Sequence, residues 1–219
     1  MHINVDNLIQ IEKEIQLNIS KFNKCIMKPK IIAVTKTHPM TSILPLLNYG
    51  HLDYGENKVQ EALEKWIEIK NNKNINLHLI GRLQTNKVKF ALKIFDYIHS
   101  LDNEKLATKI ADEQAKQSKK PKIFIQVNIG NEDQKTGVKK ERLVEFYKFC
   151  KNLKLNIIGT MCIPPNNENA ANYFSEMNII NQKLNFKELS MGMSADYMEA
   201  IKNDATYIRV GSKIFGKRD

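Results

Sequence analysis

Cysteine, glycine, proline and long apolar runs are all scarce in this chain of 219 residues. Its three cysteines, Cys25, Cys150 and Cys162, are widely spaced and form no C-x-x-C pair, which argues against a disulfide framework or zinc site and predicts buried free thiols. With 9 glycines and 6 prolines, the composition leaves no room for long disordered linkers. No apolar run is long enough to cross a bilayer and the first residues do not resemble a signal peptide, so we expect a compact cytoplasmic protein without membrane contact.

The charge is strongly basic, with 34 lysine and arginine residues against 24 acidic ones and a formal net charge of +10. A basic surface attracts phosphates and nucleic acids alike. The lysines are scattered through helical stretches, and the one tight cluster, at Lys116, Lys119, Lys120 and Lys122, lacks the interleaved aromatics of a base-stacking surface. We therefore expect a solvated basic surface without a specific nucleic-acid partner, and nucleic-acid binding stays the alternative.

The chain opens with a helical pattern followed by a strand pattern. Apolar residues recur at steps of three and four, at Leu8, Ile11, Ile15, Ile19, Phe22 and Ile26. This spacing predicts a helix that ends before Pro29. The β-branched run IIAVT at 31–35 then predicts a strand buried on both faces.

Helical and strand patterns alternate along the rest of the chain. Further strands are predicted at 52–54, 77–80, 97–99, 122–128, 156–160, 188–191 and 207–210, and helices at 41–49, 58–70, 85–93, 103–117, 139–153, 168–183 and 196–202. Strict alternation indicates parallel strands, and eight of them close into a barrel. The sequence predicts an α/β fold: a single (β/α)8 TIM barrel over residues 1–219 with an extra N-terminal helix. An open doubly wound sheet is the alternative, but no G-x-G-x-x-G motif follows the first strand.

The active site of such a barrel is built at the carboxyl ends of its strands. The residues found there are Lys36, Glu56, Asn57, Gly81, Ser100, Asn128, Met161, Ser194, Arg209, Gly211 and Ser212. They include no carboxylate pair for glycoside chemistry, no cluster of metal ligands and no Ser/His/Asp arrangement.

Lys36 follows a buried apolar strand. Removal from water favours its neutral amine, which is a nucleophile toward aldehydes, so the chemistry it supports is Schiff-base formation. The alternative is that Lys36 only extends from the barrel rim into solvent.

Two loops of small residues follow the seventh and eighth strands, at 191–196 and 210–216. Glycine lets the backbone approach a ligand closely, and serine hydroxyls with exposed N–H groups form an anion site, which in barrels commonly holds a phosphate. Each of Gly192, Gly211 and Gly216 alone can equally be a turn residue. Because the eighth strand closes against the first, one small ligand can reach both these loops and Lys36, and an aldehyde that carries a phosphate fits both ends.

Eight stretches, in order, carry a family resemblance. They are AVTKTHP (33–39), YGENKVQEA (54–62), HLIGRLQTNK (78–87), HSLDNEKLA (99–107), QVNIGNEDQKTG (126–137), IIGTMCIP (157–164), LSMGMSADYMEAI (189–201) and IRVGSKIFGKRD (208–219). Through them the chain resembles the pyridoxal phosphate homeostasis proteins, single-domain barrels of the fold-type III class that are related to the N-terminal domain of alanine racemase.

The resemblance implies that pyridoxal 5'-phosphate is the cofactor and that Lys36 binds it covalently as the internal aldimine. It implies a phosphate site at Ser194, Gly211 and Ser212, and further pocket positions at Asn57 and Met193. The family often has threonine where this chain has Ser212, and the hydroxyl is kept.

Other positions in the matching stretches receive no cofactor contact from the resemblance. Arg82 stands where the family commonly has proline, which changes the local loop. His78 and Gln84 receive no role. For Asn86 and Asp196 we expect helix capping or packing at the top of the barrel.

By the same resemblance Arg209 faces the pyridine nitrogen. A guanidinium stays protonated, so it would keep that nitrogen unprotonated and weaken the cofactor as an electron sink. Racemases of this fold add a second domain with an acid–base residue, and none follows the eighth strand in this sequence. The resemblance therefore implies a non-catalytic protein of vitamin B6 homeostasis, monomeric rather than dimeric, in transient contact with apoenzymes that use the cofactor. The alternative is an amino-acid racemase or lyase that uses the same site.

Overall fold

Eight parallel strands form the centre of the computed structural model, which describes residues 2–21, 28–165 and 169–216. The strands are β1 (Lys30–Val34), β2 (Asp53–Glu56), β3 (Asn76–Leu79), β4 (Tyr97–Leu101), β5 (Lys122–Val127), β6 (Ile157–Cys162), β7 (Glu188–Met193) and β8 (Tyr207–Val210). Each strand pairs with its neighbours in chain order, and β8 pairs with β1 to close the ring. The predicted (β/α)8 barrel is confirmed.

Helices surround the barrel and connect its strands. They are α1 (Ile3–Ile19), α2 (Met40–Tyr49), α3 (Val59–Asn72), α4 (Val88–Ile94), α5 (Glu104–Gln117), α6 (Leu143–Asn152), α7 (Ala170–Lys183), α8 (Tyr197–Lys202) and α9 (Ser212–Phe215). Short 3-10 helices, Thr85–Lys87 and Lys140–Arg142, lead into α4 and α6. The short α9 lies where the sequence predicted a loop, and the predicted start of a helix at residue 168 lies outside the described residues.

The extra N-terminal helix is present as α1, but it ends at Ile19. The predicted continuation toward Pro29 is wrong at Ser20 and Lys21, which form a turn. The Ser20 hydroxyl donates to the backbone oxygen of Leu17 at 2.9 Å, a side-chain bond of the kind that competes with helical continuation. Phe22 and Ile26, the last two apolar positions of the predicted helix, lie outside the described residues.

Apolar side chains form one layer between strands and helices and another inside the barrel. Because successive side chains of a strand point to opposite faces, Ile31 of β1 packs in the outer layer and Ile32 in the inner one. Burying one such side chain fully stabilises a fold by about 1.5–3 kcal/mol. Gly55 leaves room for Ile32, since a Cβ atom at that glycine would lie 2.8 Å from Ile32 Cγ2.

Cys150 and Cys162 are buried free thiols, as predicted, and burial raises the pKa of each to about 12. Cys25 lies outside the described residues. Across the described ranges, no helix is both long and apolar enough to cross a membrane. The same ranges hold no group of histidine, cysteine and acidic residues that could bind a metal ion.

Candidate cofactor site

A cavity of about 790 Å³, here the carboxyl-end cavity, opens where the barrel strands end. Small-molecule sites commonly measure about 300–1,000 Å³. The seven residues assigned to the cofactor from the sequence all line this cavity: Lys36, Asn57, Met193, Ser194, Arg209, Gly211 and Ser212. The pairing of β8 with β1 brings them together, because the two serine-containing loops and Lys36 then lie on adjacent strands.

Several lining residues were missed by the sequence analysis, among them His38, Gln126 and Thr136. His38 lies two positions after Lys36 in a matching stretch, and that proximity was the available signal. Gln126 belongs to β5, and its Nε2 atom donates to Thr136 Oγ1 at 3.0 Å. This contact joins a strand to the long loop that follows it, and no local sequence pattern indicates it.

Of the other strand-end residues, Gly81 lines the cavity, whereas Ser100, Met161 and Asn128 do not, so their predicted place at the site was wrong. Ser100 and Met161 lie buried within β4 and β6, because each strand continues past the predicted end. Asn128 instead folds its own loop: its Nδ2 atom donates to the backbone oxygen of Glu132 at 2.8 Å.

Lys36 is half-buried in a turn directly after β1. Its neighbour Thr37 has a φ of 66°, a left-handed conformation that residues other than glycine rarely adopt. The Thr37 N–H group donates to Glu61 Oε1 at 2.6 Å, and Lys65 Nζ donates to the backbone oxygen of Thr35 at 2.9 Å. Side chains of α3 therefore hold the backbone on both sides of Lys36.

Glu56 is the last residue of β2 and lies buried beneath this turn, not at the cavity. Its Oε1 atom accepts hydrogen bonds from Thr35 Oγ1 at 2.7 Å, Trp66 Nε1 at 2.9 Å and Lys65 Nζ at 3.0 Å. Lys65 also contacts Glu61 at 3.0 Å. Burial opposes ionisation of Glu61, but the backbone hydrogen bond and Lys65 outweigh it and lower the pKa of this carboxyl.

Ser194, in the loop at 191–196, is hydrogen-bonded to the second loop predicted to hold a phosphate. Its Oγ atom accepts from the N–H groups of Gly211 at 3.2 Å and Lys213 at 3.5 Å. The preceding residue, Met193, donates its N–H to Asp196 Oδ1 at 2.6 Å. Asp196 thus packs within its own loop and makes no side-chain cap on α8.

Gly192 has a structural role. Its φ is +88°, and a Cβ atom there would lie 2.6 Å from the Cβ of Ala200 in α8. Gly211, in contrast, has a φ of −118°, which any residue adopts.

Arg209 is buried at the floor of the carboxyl-end cavity, with 5% of its surface exposed. One guanidinium nitrogen donates to Ser190 Oγ at 2.6 Å and the other to the backbone oxygen of Cys162 at 2.9 Å. Burial lowers the pKa of Arg209, yet guanidinium stays protonated in proteins. Among the described residues, no carboxylate forms an ion pair with it.

The other residues of the HLIGRLQTNK stretch divide by location. Arg82 lines the carboxyl-end cavity, so the loop that departs from the family pattern reaches the site. His78 is fully buried inside the barrel. Gln84 precedes the 3-10 helix that contains Asn86.

A second cavity, of about 440 Å³, lies at the amino ends of β3, β4 and β5. It is lined by Lys70, Lys93, Lys119, Lys120 and Lys122 together with Asp96 and apolar residues. Three of the four lysines of the cluster noted in the sequence, Lys119, Lys120 and Lys122, therefore line this second cavity and not the carboxyl-end cavity.

Comparisons with known proteins agree with this geometry. The family model described as "Alanine racemase, N-terminal domain" matches residues 12–219. The chain is 38% identical over 199 residues to the pyridoxal phosphate homeostasis protein of Aquifex aeolicus, covering 86% of this chain and 87% of that protein. It is 36% identical over 227 residues to the protein of the same name from Haemophilus influenzae, covering 97% and 95%.

Solved structures share the fold. PipY of Synechococcus elongatus, solved with pyridoxal phosphate bound, has a TM-score of 0.81 and 30% identity, covering 94% of this chain and 100% of PipY. An alanine racemase from Bartonella henselae has a TM-score of 0.73 at 16% identity, covering 99% of this chain and 60% of the racemase. At that identity the second likeness concerns the fold alone.

Proposed function

Since the chain belongs to the pyridoxal phosphate homeostasis protein family and carries the alanine racemase N-terminal domain, we propose that it binds pyridoxal phosphate in the carboxyl-end cavity. Lys36 holds the cofactor covalently, and the protein serves vitamin B6 homeostasis in the cytoplasm without conventional turnover. It acts as one domain and as a monomer, in transient contact with apoenzymes that use the cofactor.

One observation carries the proposal: an amine and a set of phosphate-type donors line the same cavity of about 790 Å³. The chemistry that pyridoxal phosphate supplies is that of an aldehyde, which condenses reversibly with an amine and releases water. Lys36 offers the amine, and the fixed backbone on both sides of it limits where that amine can reach. The residues present therefore fit the cofactor.

Ser194, Gly211 and Ser212 fit the phosphate end. The N–H groups of Gly211 and Lys213 already point at one oxygen atom, Ser194 Oγ, so hydroxyl and amide donors converge there. Such convergent donors suit an anion. Asn57 and Met193 also line the carboxyl-end cavity.

Arg209 fits beside the pyridine ring of the cofactor. Its chemistry favours a protein that stores the cofactor over an enzyme that turns over substrate. Its guanidinium only donates hydrogen bonds, so a ring nitrogen beside it remains an acceptor without a proton of its own. An unprotonated ring is a poor electron sink, which disfavours carbanion chemistry at the cofactor.

Absorbance titration of the full chain with pyridoxal phosphate tests the proposal. We expect saturable uptake with a visible chromophore, lost in Lys36→Ala and kept in Lys89→Ala, a change of an exposed lysine on α4 outside the cavity. No uptake by the unaltered protein would overturn the proposal. Sustained amino-acid turnover that Lys36→Ala abolishes would establish a racemase or lyase in place of a carrier.

A further inference from the structure

Five polar side chains form a continuous hydrogen-bonded chain through the barrel, here the axial chain. It consists of Asp53, His78, His99, Ser190 and Arg209. Asp53 Oδ1 lies 3.0 Å from His78 Nε2, and His78 Nδ1 lies 3.0 Å from His99 Nε2. His99 Nδ1 lies 2.9 Å from Ser190 Oγ, which accepts from Arg209 at 2.6 Å. The axial chain thus runs from the amino end of β2 to the floor of the carboxyl-end cavity.

The interior of such a barrel is usually filled by branched aliphatic side chains. Buried polar groups lower stability unless every one is satisfied. Here His78 stacks on Tyr97 with ring centroids 4.2 Å apart, and His99 stacks on Phe124 at 4.3 Å. The two imidazoles are therefore held by packing as well as by hydrogen bonds, which fixes the geometry of the axial chain.

The ends of the axial chain determine the direction of every hydrogen bond. Arg209 can only donate, so Ser190 Oγ accepts from it, and the one hydrogen of this hydroxyl finds an acceptor in the axial chain only when it is donated to His99 Nδ1. His99 then carries its hydrogen on Nε2 and donates to His78 Nδ1. His78 likewise carries its hydrogen on Nε2 and donates to the Asp53 carboxylate, which can only accept. Starting from Asp53, with both imidazoles neutral, gives the same two tautomers.

The charge states of Asp53, His78 and His99 are consistent with hydrogen bonds that are all donated toward Asp53. Burial opposes ionisation of Asp53, but hydrogen bonds from His78 and Asn76 outweigh it and lower the pKa of the carboxyl. Burial lowers the pKa of His78, against the opposing effects of Asp53 and Asp96, and Lys30 adds to the lowering. Burial, His78 and Arg209 together place the pKa of His99 well below its ordinary value. Both imidazoles are therefore neutral at neutral pH.

We propose that Asp53, His78, His99 and Ser190 are positioning residues that hold Arg209 at the cavity floor and donate their own hydrogens away from the ligand. The inference rests on the proposed function, because it gives Arg209 its ligand. Every hydrogen of the axial chain points from Arg209 toward Asp53, so the chain offers no proton to a ring nitrogen bound beside Arg209. The axial chain ends at the Asp53 carboxylate, whereas the carboxylate that interacts electrostatically with Arg209 is that of Asp196.

The tautomers can be measured on the full chain without cofactor, by nitrogen NMR of its imidazole rings. The sequence has five histidines, and His2→Gln, His38→Gln and His51→Gln remove the other three sets of signals; of these rings, His51 lies 2.9 Å from the backbone oxygen of Asp53 and leaves the Asp53 carboxylate to the axial chain. We expect His78 and His99 both to be neutral with the hydrogen on Nε2 at neutral pH. A hydrogen on Nδ1 of either ring, or a charged ring, would overturn the inference whether or not the cofactor binds.

Variants test the effect on Arg209. Ser190→Ala removes the hydroxyl that links Arg209 to His99. Asp53→Asn keeps the shape of the side chain but removes the negative charge at the end of the axial chain. We expect each to weaken pyridoxal phosphate binding by about tenfold, which corresponds to about 1.4 kcal/mol. The nitrogen resonance of bound, ring-labelled cofactor should also move toward the protonated value. Glu188→Gln, a carboxylate change at the amino end of β7 outside the axial chain, should change neither readout.

The two proposals fail in different ways. If the unaltered protein binds cofactor and both variants match it in affinity and ring-nitrogen resonance, the axial chain has no positioning role and the proposed function stands. If the unaltered protein takes up no cofactor, the proposed function fails, and the tautomers still decide whether the axial chain is polarised as described.

Discussion

Lys65 donates from Nζ to the backbone oxygen of Thr35 at 2.9 Å, one position before Lys36. The same ammonium group lies 3.0 Å from Glu56 Oε1, whose side chain has no exposed surface. The turn that carries Lys36 therefore rests on a buried ion pair between α3 and β2.

Lys65→Met should destabilise the protein strongly, because it leaves the Glu56 carboxylate buried and unpaired. Breaking one side of a buried ion pair costs about 3–5 kcal/mol. Urea unfolding measures this loss. The matched control is Lys202→Met, which removes an ion pair with Glu199 whose side chains are 48% and 44% exposed, and should cost below about 1 kcal/mol. Equal effects of the two changes would contradict the structural role of Lys65.

Gly192→Ala should destabilise the packing of α8 on β7. The backbone there is left-handed, and the new methyl group would lie 2.6 Å from the Cβ of Ala200. Gly50→Ala is the control, because Gly50 is also left-handed but has no atom within 4 Å of a built Cβ. In both variants, placing alanine in the left-handed conformation costs about 1–2 kcal/mol of stability. At Gly192 the steric overlap with Ala200 adds about 1–3 kcal/mol. Equal losses of thermal stability in the two variants would contradict this prediction, because they would show that α8 shifts to accommodate the new methyl group.

Stability should fall on mild acidification. Burial lowers the pKa of His51, His78 and His99 in the folded protein. Below the unfolded-state pKa of about 6.5, the unfolded chain therefore binds more protons than the folded protein does. The free energy of unfolding consequently decreases as the pH is lowered. Each such histidine contributes a slope of up to about 1.4 kcal/mol per pH unit between roughly pH 6 and 5.

His99→Phe tests the assignment of this slope, since it removes the histidine whose pKa lies well below its ordinary value. Urea unfolding from pH 7 to pH 5 should show a slope smaller by about 1.4 kcal/mol per pH unit in the variant. An unchanged slope would mean that His99 is protonated in the folded protein. The depressed pKa of Asp53 acts in the same direction at lower pH, below about 3.9.

Ser194→Ala should weaken binding of pyridoxal phosphate but not of pyridoxal, which lacks the phosphate. Loss of a hydrogen bond to a charged group costs about 1.5–3 kcal/mol, so the dissociation constant should rise by roughly 10–100-fold. Ser212→Thr keeps a hydroxyl and should bind as the unaltered protein does, whereas Ser212→Ala should not. Equal loss for both ligands would place Ser194 away from the phosphate.

The barrel was predictable because helical and strand periodicities are local properties of the sequence. Closure of β8 against β1 follows from the count of strands, and it explains why Lys36 and Ser194 could be assigned to one site. Strand ends were less predictable: β4 and β6 extend past their predicted ends, which removed Ser100 and Met161 from the cavity.

Contacts between distant residues gave no sequence signal. His99 and Ser190 are 91 positions apart, and only the closed barrel brings their side chains to 2.9 Å. The buried position of Glu56 likewise depends on Trp66 and Lys65, whose inward orientation follows from the packing of α3. The family resemblance placed His78 in a matching stretch without a role, and its position in the axial chain became visible only in the folded molecule.

The most direct test of cofactor binding at Lys36 is peptide mass mapping after incubation with pyridoxal phosphate and reduction with borohydride. Reduction makes the link between amine and aldehyde permanent. We expect a single modified peptide, the one that contains Lys36, and no modification at that position in Lys36→Ala. A protein without any adduct, or with adducts only at other lysines such as Lys119 and Lys120 of the second cavity, would contradict the account.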